Sequence, residues 1–318
     1  MLDHEVRTAG WPLPAPGKLL HHSGVADRLQ FEVGGVSVDL SGVGLANGLD
    51  PVLSRFCVSE TASDITVKVC WLPRLEVIPS VPLFDSGTTW QLYDSDHGFR
   101  FDFSVPVLGR RPYRRLTIDR HFLHSTLELS EELFSAFPSS ASPLEYPLDE
   151  LLIMHRLTQE KAIELHGTGI VRSNDEANLF VGHSGAGKST TTRLWTELEG
   201  VEVLSDDRII VRRDASSPTN MRMYGTPWHG EAMYASPNSA PLSRIFVLEH
   251  GHGNVITTLT PSQAVAELFA RSFVPFHRHE YVDSALTFLQ ELVDSVPVYR
   301  YSFEPDHRAV EKIRNFHD

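Results

Sequence analysis

Apolar and polar residues alternate through much of the first 145 positions. Phe31-Glu32-Val33 and Val36-Ser37-Val38-Asp39-Leu40 flank Gly34-Gly35, which predicts a hairpin. Ile65 to Val69, Trp90 to Tyr93 and Phe99 to Phe103 repeat with a period of two, as half-buried strands do, the last two joined by a turn over Asp94 to Gly98. Pro73, Pro79, Pro82, Pro106 and Pro112 disfavour long helices here, because each removes a backbone donor. Leu116 to Leu129 fits a strand or a helix equally. Pro138 to Pro143 reads as a linker.

Beyond the linker the period changes. Leu148, Leu151, Leu152, Met154, His155 and Leu157 fit a buried helix, with Pro147 near its start and Asp149 and Glu150 in its first turn. Ala162 to His166 and Gly167 to Val171 read as two short strands. Asn174-Asp175 reads as a turn, and Ala177 to Val181 as an apolar strand that runs into a glycine loop. Ser189 to Leu198 is helical in pattern, Gly200 suits a C-cap, and Val201 to Leu204 is the next strand. The expected fold class is α/β of the α+β kind. A β-rich N-terminal domain over 1–145, taken to recognise substrate or cover the cleft, precedes a nucleotide-binding domain with a mixed sheet over 146–318.

The glycine loop is Gly182-His183-Ser184-Gly185-Ala186-Gly187-Lys188-Ser189, followed by Thr190, and it satisfies G-x-x-x-x-G-K-[ST] in full. The glycines let successive N–H groups turn inward onto phosphate oxygens. The following helix adds the positive end of its dipole. Lys188 would reach the β- and γ-phosphates and Ser189 would ligate Mg²⁺. The preceding strand and following helix are the context this motif requires. A second element, Leu204-Ser205-Asp206-Asp207-Arg208, places adjacent carboxylates one helix and one strand later. There they suit Mg²⁺ or the proton of an attacking hydroxyl.

Leu165-His166-Gly167, Phe180 to Thr190 and Leu204 to Arg208, in this order and spacing, resemble the HPr kinase/phosphorylase family, which shares a P-loop domain with phosphoenolpyruvate carboxykinases. The resemblance covers roughly residues 148 to 300 and looks closest to the HPr kinase-like branch, with Gly225-Thr226-Pro227-Trp228-His229-Gly230-Glu231 after the acidic pair. It implies an ATP-dependent kinase that phosphorylates a hydroxyl, such as a serine of a peptide or protein or a free amino acid. It also implies that Asp206 receives the hydroxyl proton and that Asp207 holds Mg²⁺ with Ser189, roles the two acids could exchange. His166 matches a histidine near the phosphates; a satisfied strand-end histidine is the alternative. Glu231 stands where the family carries a further metal-binding acid, although the family's longer downstream signature is missing. The choice of ATP over GTP rests on the resemblance alone. Trp228 reads as core, with a platform for substrate or base as the alternative. Arg271, Arg278 and Arg300 are candidate phosphate contacts or solvated arginines, and His277 to His279 reads as a polar loop.

Composition narrows the alternatives. With 41% hydrophobic and 22% charged residues the chain is ordinary for a soluble globular protein, and no long uncharged apolar run predicts a membrane span. Met1 to Gly10 lacks the apolar core of a secretory signal, and Cys57 and Cys70 are the only cysteines, so buried free thiols and a cytoplasmic location are expected. A formal charge of −13 disfavours nucleic acid as a partner, leaving ATP and a hydroxyl-bearing substrate, with homo-oligomerisation open. A non-catalytic ATP-binding regulatory or interaction protein is the competing reading. A transporter ATPase lacks its signature here, and a carboxykinase would be longer.

Overall fold

The structure, a computed structural model, describes residues 26–43, 45, 49–59, 62–105, 109, 111–136, 142–173, 176–215 and 217–316. Met1 to Gly10, Pro106, most of the Pro138–Pro143 linker and the Asn174-Asp175 turn lie outside them. The chain is mixed α/β and contains two mixed sheets.

The first sheet holds β1 (Ala26–Val33), β2 (Val36–Val43), β3 (Ile65–Leu72), β4 (Phe84–Asp85), β5 (Trp90–Ser95), β6 (Gly98–Phe103), β7 (Arg114–Asp119) and β8 (His124–Ser130). Their order is β1-β2-β3-β8-β7-β6-β5-β4. The hairpin over Gly34-Gly35 forms with Val33 opposite Val36. The stretch from Leu116 to Leu129 is a second hairpin, its turn tied by Asp119 to the N–H groups of His121 at 2.7 Å and Leu123 at 3.1 Å. Strand β6 differs from its half-buried expectation, for every residue in it is buried. Phe99, Phe101 and Phe103 enter the core. On the other face the segment after β3 crosses the sheet, and its carbonyls accept from Arg100 at Ile78 and from Arg115 at Glu76. Cys57 is exposed and Cys70 half-buried, so the expected burial of both thiols is corrected.

Helix α1 (Glu131–Ala136) follows, then α2 (Leu148–Leu157). The apolar side of α2 joins the core of the first sheet rather than that of the second. The second sheet holds β9 (Ala162–Arg172), β10 (Ala177–Val181), β11 (Val201–Ser205), β12 (Arg208–Asp214), β13 (Ser217–Tyr224), β14 (Ser239–Pro241), β15 (Arg244–His250), β16 (Val255–Thr258), β17 (Ser272–Phe273) and β18 (Val298–Phe303). Ala162 to Arg172 is therefore one strand of 11 residues, not two. Its continuity comes from its neighbours: β12 then β11 along one edge, β17 then β10 along the other.

Strands β10, β15 and β18 are parallel, and the apolar run Ala177 to Val181 is buried throughout because helices cover both faces. Leu179 and Val181 meet α4 (Pro261–Phe269) and α5 (His279–Ser295). Phe180 meets α3 (Lys188–Thr196) and α6 (His307–Arg314). Helix α5 keeps its place through Tyr281, Ala285, Phe288, Leu289 and Leu292, a helical stripe on one face. Among the described residues no helix is long and apolar enough to cross a membrane.

Candidate functional site

The glycine loop connects β10 to α3, and the helix starts at Lys188. Gly187 caps it at φ 101°, a left-handed backbone that side chains other than glycine's rarely adopt. A Cβ there would also meet the Phe303 ring at 2.5 Å. Gly185, at φ 81°, faces open space, since a Cβ on it would meet nothing within 4 Å. His183, Ser184 and Ser189 are exposed, whereas Gly182 is buried and Ala186 and Thr190 are half-buried. His250, at the end of β15, lies with Nε2 2.5 Å from the Gly185 carbonyl and stacks on Phe303, bracing the loop from outside.

Lys188 folds back beneath the loop. Its Nζ donates to the carbonyls of Gly182 at 3.0 Å and His183 at 3.3 Å, and the residue is only 7% exposed. Burial pushes its ammonium down to about 8, against the opposing pull of Asp207. The cation is thus held at the loop's own carbonyls.

The acidic pair sits in the turn between β11 and β12, which line one edge of β9 end to end. His166 marks the level where both edges of β9 open. It pairs with Arg208 on one side, and its carbonyl accepts the Gly182 N–H on the other at 3.3 Å. The glycine loop and the acidic turn therefore leave opposite edges of one strand at the same height. With strands ~4.8 Å apart, their backbones stand about 10 Å from each other.

The two acids are not alike. Asp206 is 2% exposed, and its oxygens accept the N–H groups of Gly230 at 3.0 Å, Ala232 at 2.9 Å and Tyr234 at 3.2 Å. It anchors the loop that follows Trp228. Asp207 is half-buried; its Oδ1 lies 2.9 Å from His166 Nε2, and Oδ2 pairs with Arg208. Burial alone would raise its carboxyl, but the His166 hydrogen bond and the charges of Arg208, His166 and Lys188 hold it below the ordinary carboxylate value. Glu231 is exposed on the loop that Asp206 anchors. Among the described residues no three acidic, histidine or cysteine side chains converge as a metal cage.

Several expectations shift. Trp228 is buried as expected, with Nε1 donating to Asp149 at 2.8 Å. Arg271 and Arg300 share Glu267, and Arg278 pairs with Glu280. His277 lies in a loop as expected, but its ring packs among Phe99, His155 and Tyr281 rather than in solvent. Sequence reasoning passed over Glu150 and Glu164, which both approach Arg208. The signal was present in Glu164, a charge inside the apolar strand Ala162-Ile163-Glu164-Leu165.

The chain matches no family model and no curated protein, so what it does is read from the site itself.

Proposed function

We propose that the chain is an Mg²⁺- and ATP-dependent kinase that transfers the γ-phosphate to a hydroxyl, probed first as serine in a peptide, protein or amino acid. The observation that supports this reading is the shared level at His166, from which the phosphate loop and the Asp207–His166 pair leave opposite edges of β9. The resemblance to HPr kinase-like P-loop domains agrees with it.

The residues present fit the nucleotide and the metal. Gly185 borders open space and Ser189 is exposed in the first turn of α3, where its hydroxyl would hold Mg²⁺. Mg²⁺ keeps several waters and takes one or two protein oxygens beside the phosphates, so the missing cage is no obstacle. When bound, Mg²⁺ supplies charge neutralisation at the phosphates.

Asp207 is the better acceptor for the hydroxyl proton. Its partner His166 keeps it ionised and oriented, and it is less buried than Asp206. Both acids have both oxygens engaged, but Asp206 is 2% exposed and bound by backbone N–H groups that fix the loop. Asp207 is the more accessible and is bound by the side chains of His166 and Arg208, so the structural role falls to Asp206. Lys188 lies beneath the phosphate loop, and Glu231 is exposed on the loop that Asp206 anchors, where it stays a candidate metal-binding acid.

The test is incubation with γ-labelled ATP, Mg²⁺ and a panel of serine, a serine-ended peptide and a small serine-bearing protein. Label is expected on one acceptor. Asp207→Asn is expected to abolish it while nucleotide binding persists. Asp206→Asn is expected to retain measurable transfer but to lower folding stability by about 1–3 kcal/mol, because buried N–H groups lose their acceptor. Tight nucleotide binding without label on any acceptor would instead favour a regulatory nucleotide-binding protein. Full transfer in the Asp207 variant would return the base to Asp206.

A further inference from the structure

Arg208 holds the site carboxylate from behind. Its guanidinium lies 4.1 Å over the Phe273 ring, and Phe273 meets His166 edge-on at 6.1 Å. Nη1 pairs with Asp207 Oδ2. Nε donates to Glu150 Oε1 at 2.6 Å and stands 3.3 Å from Glu164 Oε1. One planar cation therefore touches Asp207 and two buried carboxylates. The two come from different places: Glu164 from β9, and Glu150 from the first turn of α2, the helix whose apolar residues belong to the core of the first sheet.

Glu150 and Glu164 are not equivalent. Glu164 is 1% exposed, and neither of its oxygens accepts a hydrogen bond. Burial followed by the charge of Glu150 drives Glu164 well above the usual carboxylate range, against the opposing pull of Arg208. Glu150 is the carboxylate that accepts from Arg208 Nε, and Glu164 walls the cation in. The guanidinium fork is rigid, so fixing Nε also fixes Nη1 and the carboxylate that Nη1 holds.

We propose that Glu150 and Arg208 are positioning residues: Glu150 aims the Arg208 guanidinium, Arg208 fixes the Asp207 carboxylate at the phosphate loop, and α2 thereby ties the first sheet to the geometry of the site. The catalytic consequence rests on the kinase reading above; the positioning itself is a matter of geometry. A displacement of α2 reaches Asp207 through two polar contacts, which makes the N-terminal half a lever on turnover.

The test uses the full chain with Glu150→Gln, Glu150→Asp and Glu164→Gln. A misplacement of catalytic groups by about 1 Å can cost ~10²-fold, so E150Q is expected to lower kcat roughly 10- to 100-fold. Its nucleotide Kd should stay within about threefold of wild type, because the glycine loop is untouched. E150D keeps a carboxyl group opposite Arg208 and should recover part of kcat. E164Q keeps the side chain's shape beside Arg208 and leaves the Glu150 contact in place, so its effect on kcat should be smaller than that of E150Q. Unchanged kcat in folded E150Q overturns the proposal, as does a loss of thermal stability that E150D does not reverse while kcat per folded molecule is kept. A crystal structure of E150Q decides the geometry without any activity: Arg208 turned away from Asp207 supports the proposal, and an unaltered contact overturns it. If wild type labels no acceptor, the kinase reading fails, and that structure alone judges the positioning.

Discussion

Replacing Lys188 by alanine is expected to lower phosphoryl transfer by about 10²–10³-fold, because it removes a preorganised charge from a site where water cannot substitute for it. The residue is 7% exposed, donates to two loop carbonyls and feels, through space, Asp207 and Asp206 against Arg208 and Arg271. Its ammonium is pushed down to about 8 by burial, so it is still mostly protonated near pH 7. A triphosphate would give that charge the partner it lacks and exchange two carbonyl contacts for phosphate oxygens. Steady-state turnover on the labelled acceptor, measured beside nucleotide affinity, checks this. Turnover close to wild type would sink the assignment of Gly182 to Thr190 as the phosphate cradle. Lys188→Arg is expected to rescue little, since a planar fork does not fit a slot shaped for a compact ammonium.

The second large effect concerns acid stability and needs no substrate. His155 on α2 is 1% exposed, stacked on Phe122 at 4.5 Å and set edge-on to Phe101 at 5.5 Å. Its Nδ1 donates to the Leu151 carbonyl at 2.6 Å, which leaves Nε2 a buried lone pair without a donor. Burial, then the charge of His277, pushes the imidazole down to about 3 from 6.5. Above pH 6.5 both folded and unfolded forms are neutral and stability is full. As pH falls below 6.5 the unfolded chain takes up a proton that the folded chain refuses, so stability is lost progressively toward pH 3. By pH 4 the loss from His155 amounts to about 3 kcal/mol at 1.36 kcal/mol per unit. His277, pushed down to about 4 by burial and then by Arg278, adds less because its ring is partly exposed. Asp149 acts in the opposite sense: burial raises it to about 7, so its folded form gains protons first and it favours the folded state as pH falls. Urea unfolding of wild type and His155→Phe at pH 7 and pH 4 separates these contributions. The variant should lose roughly 3 kcal/mol less across that interval; an identical loss in both chains would rule out the buried imidazole as the cause.

What the sequence revealed follows from how local each feature is. The strand, glycine loop and helix from Ala177 to Thr196 are written by adjacent residues, and the Gly34-Gly35 hairpin is written by its own turn. The division of labour between Asp206 and Asp207 was not legible. It depends on N–H groups at Gly230, Ala232 and Tyr234, brought to Asp206 by a long excursion of the chain. The only local sign is a glycine at 230, where a Cβ would stand 2.9 Å from Asp206 Oδ2. The period-two pattern of β6 predicted one wet face, and only the crossing segment with its Arg100 and Arg115 contacts explains why that face is dry. His277 looked polar by its neighbours in sequence, yet its surroundings come from β6, α2 and α5.

The Gly34-Gly35 turn presses on β12: a Cβ on Gly34 would lie 2.6 Å from Ile210 Cδ1, and Arg212 donates to the Gly34 carbonyl at 2.8 Å. Arg55 likewise donates to the Ala235 carbonyl at 3.2 Å, and Ile210, Trp228 and Ala235 share the core of the first sheet. The half that carries the glycine loop is therefore not a free-standing module. Expressed alone, residues 146–318 would present the apolar side of α2 and these side chains to water, a contiguous patch of the kind that drives association. Such a fragment is expected to aggregate, and a two-chain complementation with residues 1–145 should restore a soluble pair.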